Sequence, residues 1–319
     1  MIPMVFVLPL GKRLSFNVAS GQAFASLNTA GSDLSGPADT RVQATYLMMN
    51  EALMLHGGLN LPTGKSRLGA DQALVASALS VNALDFRLPL LGQGFSYSLG
   101  AVYAYETGGG AVLGGGLSLV IKDGFEPFEE RDLAYKPGNE MTLTLGADKD
   151  LEIGGREVKL TGDITYTRYE ADEADGTVIF KSGDKLLVQL RSIFKAGPFD
   201  IVAYARNRSK GKNERGIAAL QPEDQNSNGN QLEIGGAGYY SLNNKKVIKG
   251  LLDLKFYSRN ERESGGAFVM GIGGGLQFQW LRSMTFDGQF KLLRGTLSSR
   301  NATTSITGYE VGLAVRLRL

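Results

Sequence analysis

Gly64, Lys65 and Ser66 stand in the stretch GGLNLPTGKSRLG, residues 57–69. A Gly-Lys-Ser tripeptide closes a phosphate-cradling loop when four residues separate it from an earlier glycine, because backbone N–H groups then converge on the phosphates. The position that should hold that glycine is Leu59, and Gly58 comes one residue too early. His56 is the single histidine. It could serve as a general base only beside a nucleophile, and no motif marks one; the chain also has no cysteine. A membrane-embedded hydrolase is therefore disfavoured, and His56 is expected to be a wall residue. The stretch DQNSNGNQLE, 224–233, spaces Asp224, Asn226, Asn228 and Gly229 like a calcium loop. Its twelfth position is Gly235 where a bidentate Glu is needed, so it is a weak calcium candidate and a solvated loop is the default.

Composition narrows the classes further. The 34 Lys and Arg nearly balance the 32 Asp and Glu, which speaks against a nucleic-acid partner. Without cysteine, neither a disulfide scaffold nor a thiolate metal site can form. No cofactor and no enzymatic activity are expected from this inventory. Glycine, at 43 of 319 residues, is about twice its usual ~7% share. No segment approaches the ~18 apolar residues of a membrane helix, yet strands that close into a barrel can span a bilayer without one. The N-terminal MIPMVFVLPL lacks the preceding positive charge of a signal peptide. The favoured reading there is strand, turn at LGKR, strand.

Alternation with period two runs through most of the chain. In GYEVGLAVRLRL, Tyr309, Val311, Leu313 and Val315 share one face, and Glu310 and Arg316 share the other. VIKGLLDLKFY, SMTFDGQFKLL and VKLTGDITYT repeat the pattern. Short connections alternate with long ones, as in outer-membrane barrels, where tight turns lie at the periplasmic end and longer loops outside. Taking 63–93 as one external excursion keeps that alternation. Fifteen strands result: 2–9, 12–20, 38–49, 53–62, 94–106, 110–122, 139–150, 156–170, 177–194, 198–207, 231–242, 246–258, 266–280, 283–295 and 304–319. Only 69–80 has helical potential. The expected fold is all-β, one transmembrane up-and-down antiparallel barrel of 14–16 strands over 1–319. Since such barrels usually have an even number, either one upstream strand is missing from this sequence or one strand is miscounted.

The polar faces supply candidates for a solute path: Asp163, Arg191, Lys249, Asp253, Lys255, Asp287, Lys291, Glu310 and Arg316. Their mixed signs suggest no strong charge preference. Bracing of the wall is the competing role. Within the excursion, Phe86, Leu88, Leu90, Leu91 and Phe95 are candidates for a constriction, if the loop folds inward; packing on the rim is the alternative.

Several short motifs, GGLNLPTGKS, LGQGF, YKPGNEMTLTLG and FKSGDKLLVQL, resemble the bacterial outer-membrane transporters grouped with the phenol meta-pathway degradation proteins. The resemblance runs along most of the chain, strongest over about 53–195. It implies that Leu61 to Gly64 is a strand-to-loop corner and not a nucleotide loop. It also implies passage of small, often hydrophobic or aromatic compounds across the bacterial outer membrane. The partners expected are outer-membrane lipid, a small solute and a protein at the external loops. A structural or docking barrel that serves a lipoprotein or surface complex is the alternative.

Overall fold

The computed structural model describes residues 2–27, 32–79, 92–281, 283–298 and 302–317. In chain order the elements are β1 (Ile2–Leu10), β2 (Leu14–Leu27), β3 (Ser32–Pro37), β4 (Thr40–Met48), β5 (Leu53–Leu61), α1 (Ala70–Leu79), β6 (Ser96–Glu106) and β7 (Ala111–Lys122). They continue with β8 (Tyr135–Lys136), β9 (Glu140–Ile153), β10 (Arg156–Tyr169), β11 (Ala171–Ala174), β12 (Thr177–Lys181), β13 (Lys185–Ala196) and β14 (Phe199–Lys210). The last are β15 (Glu214–Arg215), β16 (Gln221–Pro222), β17 (Gln231–Asn243), β18 (Lys246–Tyr257), β19 (Gly266–Leu281), β20 (Met284–Ser298) and β21 (Thr303–Leu317).

One antiparallel meander contains most of the chain, in the order β1-β2-β4-β5-β6-β7-β9-β10-β13-β14-β17-β18-β19-β20-β21, with β3 beside β2. Fifteen strands lie on this path, as the alternation predicted. β1 and β21 therefore run in the same direction, and among the described residues no ladder joins them. Among the described residues β1 pairs only with β2, which suits Pro3 and Pro9, residues that a central strand excludes.

The tight turns at one end follow from local chemistry. Between β9 and β10, Gly154 and Gly155 have φ of +60° and +73°, the left-handed pair that a two-residue hairpin demands. Gly11 takes φ +76° in the LGKR turn.

Register divides the side chains cleanly. Leu145, Ile164 and Val188 lie across from one another on β9, β10 and β13, and each is exposed. Leu252, Ile272, Leu292 and Tyr309 do the same on β18 to β21. Aromatic pairs mark both limits of this apolar face: Phe199–Tyr240 and Trp280–Phe286 near the tight turns, Phe256–Phe268 near the long loops. Phe268 and Phe278 are ten residues apart, about 33 Å of strand. With the usual ~40° tilt that is roughly 25 Å of height, the thickness of a barrel's apolar band.

Two expectations need correction. The strand read as 177–194 is broken: β12 ends at Lys181 and β13 starts at Lys185. Asp184 interrupts it, and its carboxylate is held by the Tyr166 hydroxyl. The strand read as 12–20 runs to Leu27, because its upper half pairs with β3. Three of the long loops also carry short strands. β8, β11, β12, β15 and β16 form a second, five-stranded sheet beyond the long-loop end of the meander. Helix α1 occupies 70–79, within the expected 69–80.

Candidate functional site

A β-bulge creates the first feature. β2 pairs Ala19 with Arg41 and Gln22 with Pro37, so residues 38–40 lie opposite only Ser20 and Gly21. The extra residue re-aims the strand, as bulges do, and Ala38 and Asp39 both become buried. Asp39, 3% exposed, faces the loop between β5 and β6. Its Oδ1 accepts the Gly64 N–H at 2.9 Å. Its Oδ2 accepts the Gln93 N–H at 2.8 Å and the Asn60 amide at 2.8 Å. Asn60 also donates to the Gly94 carbonyl at 3.0 Å, and the Gly92 N–H donates to the Lys65 carbonyl at 2.8 Å. One carboxylate thus pins both ends of the excursion. The arms touch so closely that a Cβ at Gly92 would stand 2.8 Å from the Gly64 carbonyl oxygen.

This geometry disposes of the nucleotide reading. The Gly64 amide is spent on Asp39, and the Lys65 ammonium on Gln72 at 2.6 Å and Glu129 at 3.1 Å. Leu61 to Gly64 is a strand-to-loop corner.

The excursion turns onto the polar side of the sheet. Leu34 of β3 pairs with Ala25, and Asn17, on the same face of β2, pairs with Gln43. On that face Leu34, Leu68 and Val75 form a buried apolar cluster edged by Ala73 and Ala76. The Ala70 N–H, at the start of α1, donates to Glu130 at 3.2 Å, which places an anion where the helix dipole favours it. Leu68 pairs with Pro127 and Glu129 through backbone hydrogen bonds, tying the loop between β7 and β9 to the same assembly. Phe95, half-buried, accepts the Asp123 N–H through its carbonyl. Phe86, Leu88, Leu90 and Leu91 lie outside the described residues.

The solute-path candidates share one face. Asp163 registers with Gln189 and Gly146, Arg191 with Thr161 and Tyr204, and Asp253 with Gly235 and Gly271. Lys249, Lys255, Asp287, Lys291 and Glu310 follow on the same side, and Arg316 occupies the corresponding register position on β21. Many are zipped together. Lys249 pairs with Asp287, and Lys291 with Asp253. Lys291 also lies 3.6 Å from Glu310, and the Tyr204 hydroxyl donates to Asp253 at 2.8 Å. Arg206 pairs with Glu233.

Two of these ion pairs reach over an intervening strand. Lys249 and Asp253 are on β18 and their partners on β20, with β19 between. Such a reach, twice the ~4.8 Å strand spacing, is open only where the middle strand carries glycine. β19 supplies Gly271, Gly273 and Gly275, and β17 supplies Gly235 beneath the Tyr204–Asp253 bond. A Cβ at Gly271 would stand 2.9 Å from Lys291 Cδ. The glycine excess therefore lets charged chains lie flat against the wall. Lys249 is 8% exposed as a result. His56 also crosses toward a glycine, Gly100, and borders a cavity of about 240 Å³ with Thr142, Thr144 and Gly146.

The mixed-sign expectation changes in detail. The acid–base pairs are densest on β18 to β21, with others at Lys122–Glu140 on β7 and β9 and Lys159–Asp148 on β10 and β9, whereas β13 and β14 bring Lys185, Arg191, Arg206, Arg208 and Lys210 to the polar face. Arg191 is exposed and makes no ion pair among the described residues.

Beyond the meander, Glu223 organises the loop between β14 and β17. It accepts the Asn213 and Ser227 N–H groups at 2.9 and 3.0 Å and the Ser227 hydroxyl at 3.0 Å, and Arg262 lies 3.4 Å away. Burial alone pushes its carboxyl up; these donors and the guanidinium outweigh burial and hold it at about 2. In the second sheet, burial and a 2.5 Å hydrogen bond to Asp172 push the Tyr135 hydroxyl well above its ordinary range. The calcium-loop residues are engaged within this network. Asn226 and Asn228 donate to the carbonyls of Lys210 and Gly211, and the Asp224 carbonyl accepts from Lys212.

Sequence reasoning missed Asp39, Asn60 and Glu223. The Gly-Pro-Ala-Asp run at 36–39 carries a bulge signal, yet nothing local says what the acid would meet.

No protein-family model matches the sequence, and no curated protein does. Solved structures do. The alcaligin outer-membrane receptor FauA of Bordetella pertussis aligns with a TM-score of 0.53 at 10% identity, over 99% of this chain and 55% of that one. CdiB of Escherichia coli aligns with 0.53 at 10%, over 99% and 61%. CdiB of Acinetobacter baumannii aligns with 0.52 at 11%, over 98% and 58%. This chain spans little more than half the length of those proteins. With an apolar face exposed between aromatic limits, polar chains on the other side, and these likenesses, the chain has the fold of the bacterial outer-membrane β-barrels.

Proposed function

We propose that this barrel is an outer-membrane channel for the passive passage of small solutes, hydrophobic and aromatic compounds among them. The excursion between β5 and β6 is its constriction. The observation that carries the reading is the Asp39 anchor, with α1 seated on the polar face of β3. An apolar cluster on the water-facing side of a wall is unnecessary for bracing, which ion pairs already supply. It makes sense for an element held across a lumen. The resemblance to the meta-pathway transporters supports the same reading, since their Leu-Pro-Thr-Gly and Leu-Gly-Gln-Gly-Phe motifs supply the two pinned arms.

Purified protein reconstituted in planar bilayers should give discrete conductance steps. Silent bilayers, at a protein density where a control porin conducts, would reject passage. A docking barrel is the second reading. It draws support from the five-stranded outer sheet, an ordered surface assembled from three loops, and a silent bilayer with a co-purifying surface protein would favour it.

A further inference from the structure

The polar face carries an electrostatic arrangement that bracing does not explain. Lys185 and Lys210 are directly opposed across β13 and β14. Like charges in that position are destabilising. Both ammonium groups also lie over the same ring, 5.8 and 5.9 Å from the centroid of Tyr169 on β10. Arg208 stands two residues down β14, and its guanidinium donates to the neutral amide of Gln231. Among the described residues none of the three cations has a carboxylate partner. The neighbouring acid on this face, Glu140, is taken by Lys122 at 2.5 Å. Lys122, Lys185, Arg208 and Lys210 against Glu140 leave three uncompensated positive charges, four minus one. Two other carboxylates are within electrostatic range of Lys210, namely Glu223 and Asp172. Each is committed elsewhere: Glu223 to Asn213, Ser227 and Arg262, Asp172 to Tyr135 and the Gly138 N–H. One layer deeper, Arg206 and Glu233 cancel.

Opposed lysines converging on one ring, at the loop end of the polar face, are stabilised by an anion placed between them. A cleft of about 500 Å³, bordered by Tyr169, Asn139, Glu140, Glu170, Arg168 and Lys181, opens beside the ring and gives room for an organic body; Glu170 accepts from Asn139 at 2.6 Å, and Lys181 pairs with Glu214 at 2.8 Å. We propose that Lys185, Lys210 and Arg208, with Tyr169, form a binding site for a small organic carboxylate at the outer mouth. This rests on the channel reading and names a substrate class for it.

The test is equilibrium binding of benzoate, with the isosteric neutral benzamide as control, to the full chain in detergent at about 0.15 M salt. Benzoate should bind the wild-type protein and benzamide should not. Lys185→Gln and Lys210→Gln should each weaken benzoate roughly tenfold, the loss expected for a charge-assisted contact. Each substitution relieves repulsion, so the strand content by circular dichroism should be unchanged. Equal affinity for benzoate and benzamide, or variants that bind benzoate like wild type, would overturn the site. Conductance is scored separately. Conducting bilayers without benzoate discrimination refute the site and keep the channel; benzoate binding that needs both lysines, in a protein that does not conduct, keeps the site and refutes passage.

Discussion

Replacing Asp39 by Asn should free the excursion while leaving the barrel folded. The carboxylate accepts three hydrogen bonds, two from backbone N–H groups at opposite ends of the loop and one from Asn60. An amide in its place keeps one oxygen and turns an NH2 toward at least one of these donors. Leaving one buried donor unsatisfied costs ~1–3 kcal/mol, and the remaining bonds lose their charge assistance. Together that is about 3 kcal/mol, on the order of a hundredfold in the population with loose arms. The wall should be indifferent, because its ladders do not pass through Asp39. Protease digestion of the protein in detergent provides the assay, read by mass spectrometry. Cuts should appear between Leu61 and Ser96 in Asp39→Asn under conditions that leave the wild-type chain whole, and single-channel conductance should rise and become noisier. Protease resistance and conductance equal to wild type would show that the carboxylate does not hold the loop.

Other expectations follow from the same contacts. Lys249→Met strands the Asp287 carboxylate and should lower stability by about 3–5 kcal/mol. Adding Asp287→Leu should restore most of it, as thermal unfolding in detergent would reveal. Gly271→Leu drives a side chain into Lys291 and Leu293 and should lower the melting temperature, at an overpacking cost of about 1–3 kcal/mol. The Glu223 carboxyl is held below its free value of 4.5, at about 2. Its contribution is therefore complete above pH ~4.5 and disappears as pH falls toward 2. That contribution is on the order of 3 kcal/mol. Hydrogen exchange of residues 211–230 should quicken across that window, and Glu223→Gln should abolish the pH dependence.

The wall was legible because its physics is local. Alternation in SMTFDGQFKLL or VKLTGDITYT assigns each residue to a face without knowledge of any neighbour, and the registers of β10 and β20 agree with it. The strand count followed from the rhythm of short and long connections. What failed to show was nonlocal. Lys249 could be placed on the polar face, but its partner Asp287 lies two strands away across glycines of β19, a relation set by register. The outer sheet escaped notice because β8, β15 and β16 are two residues long, too short for any period. Lys185 and Lys210 are each unremarkable in sequence; their opposition across β13 and β14 makes them a site. Asp39 is similar, since its meaning depends on Gly64 and Gln93 arriving at the two oxygens of one carboxylate.

The absence of cysteine makes the two faces directly measurable, since single cysteines can be introduced into a chain that has none. Leu143→Cys, Leu190→Cys and Leu252→Cys sample the apolar face, and Asp163→Cys, Arg191→Cys and Lys255→Cys the polar one. In bilayer vesicles the first three variants should resist a charged, water-soluble maleimide and carry fluorophores that lipid-borne quenchers extinguish. The second three should react with the maleimide and escape the quenchers. Rapid aqueous labelling of the three apolar-face variants, with no quenching from lipid, would mean that the apolar face does not lie in a membrane.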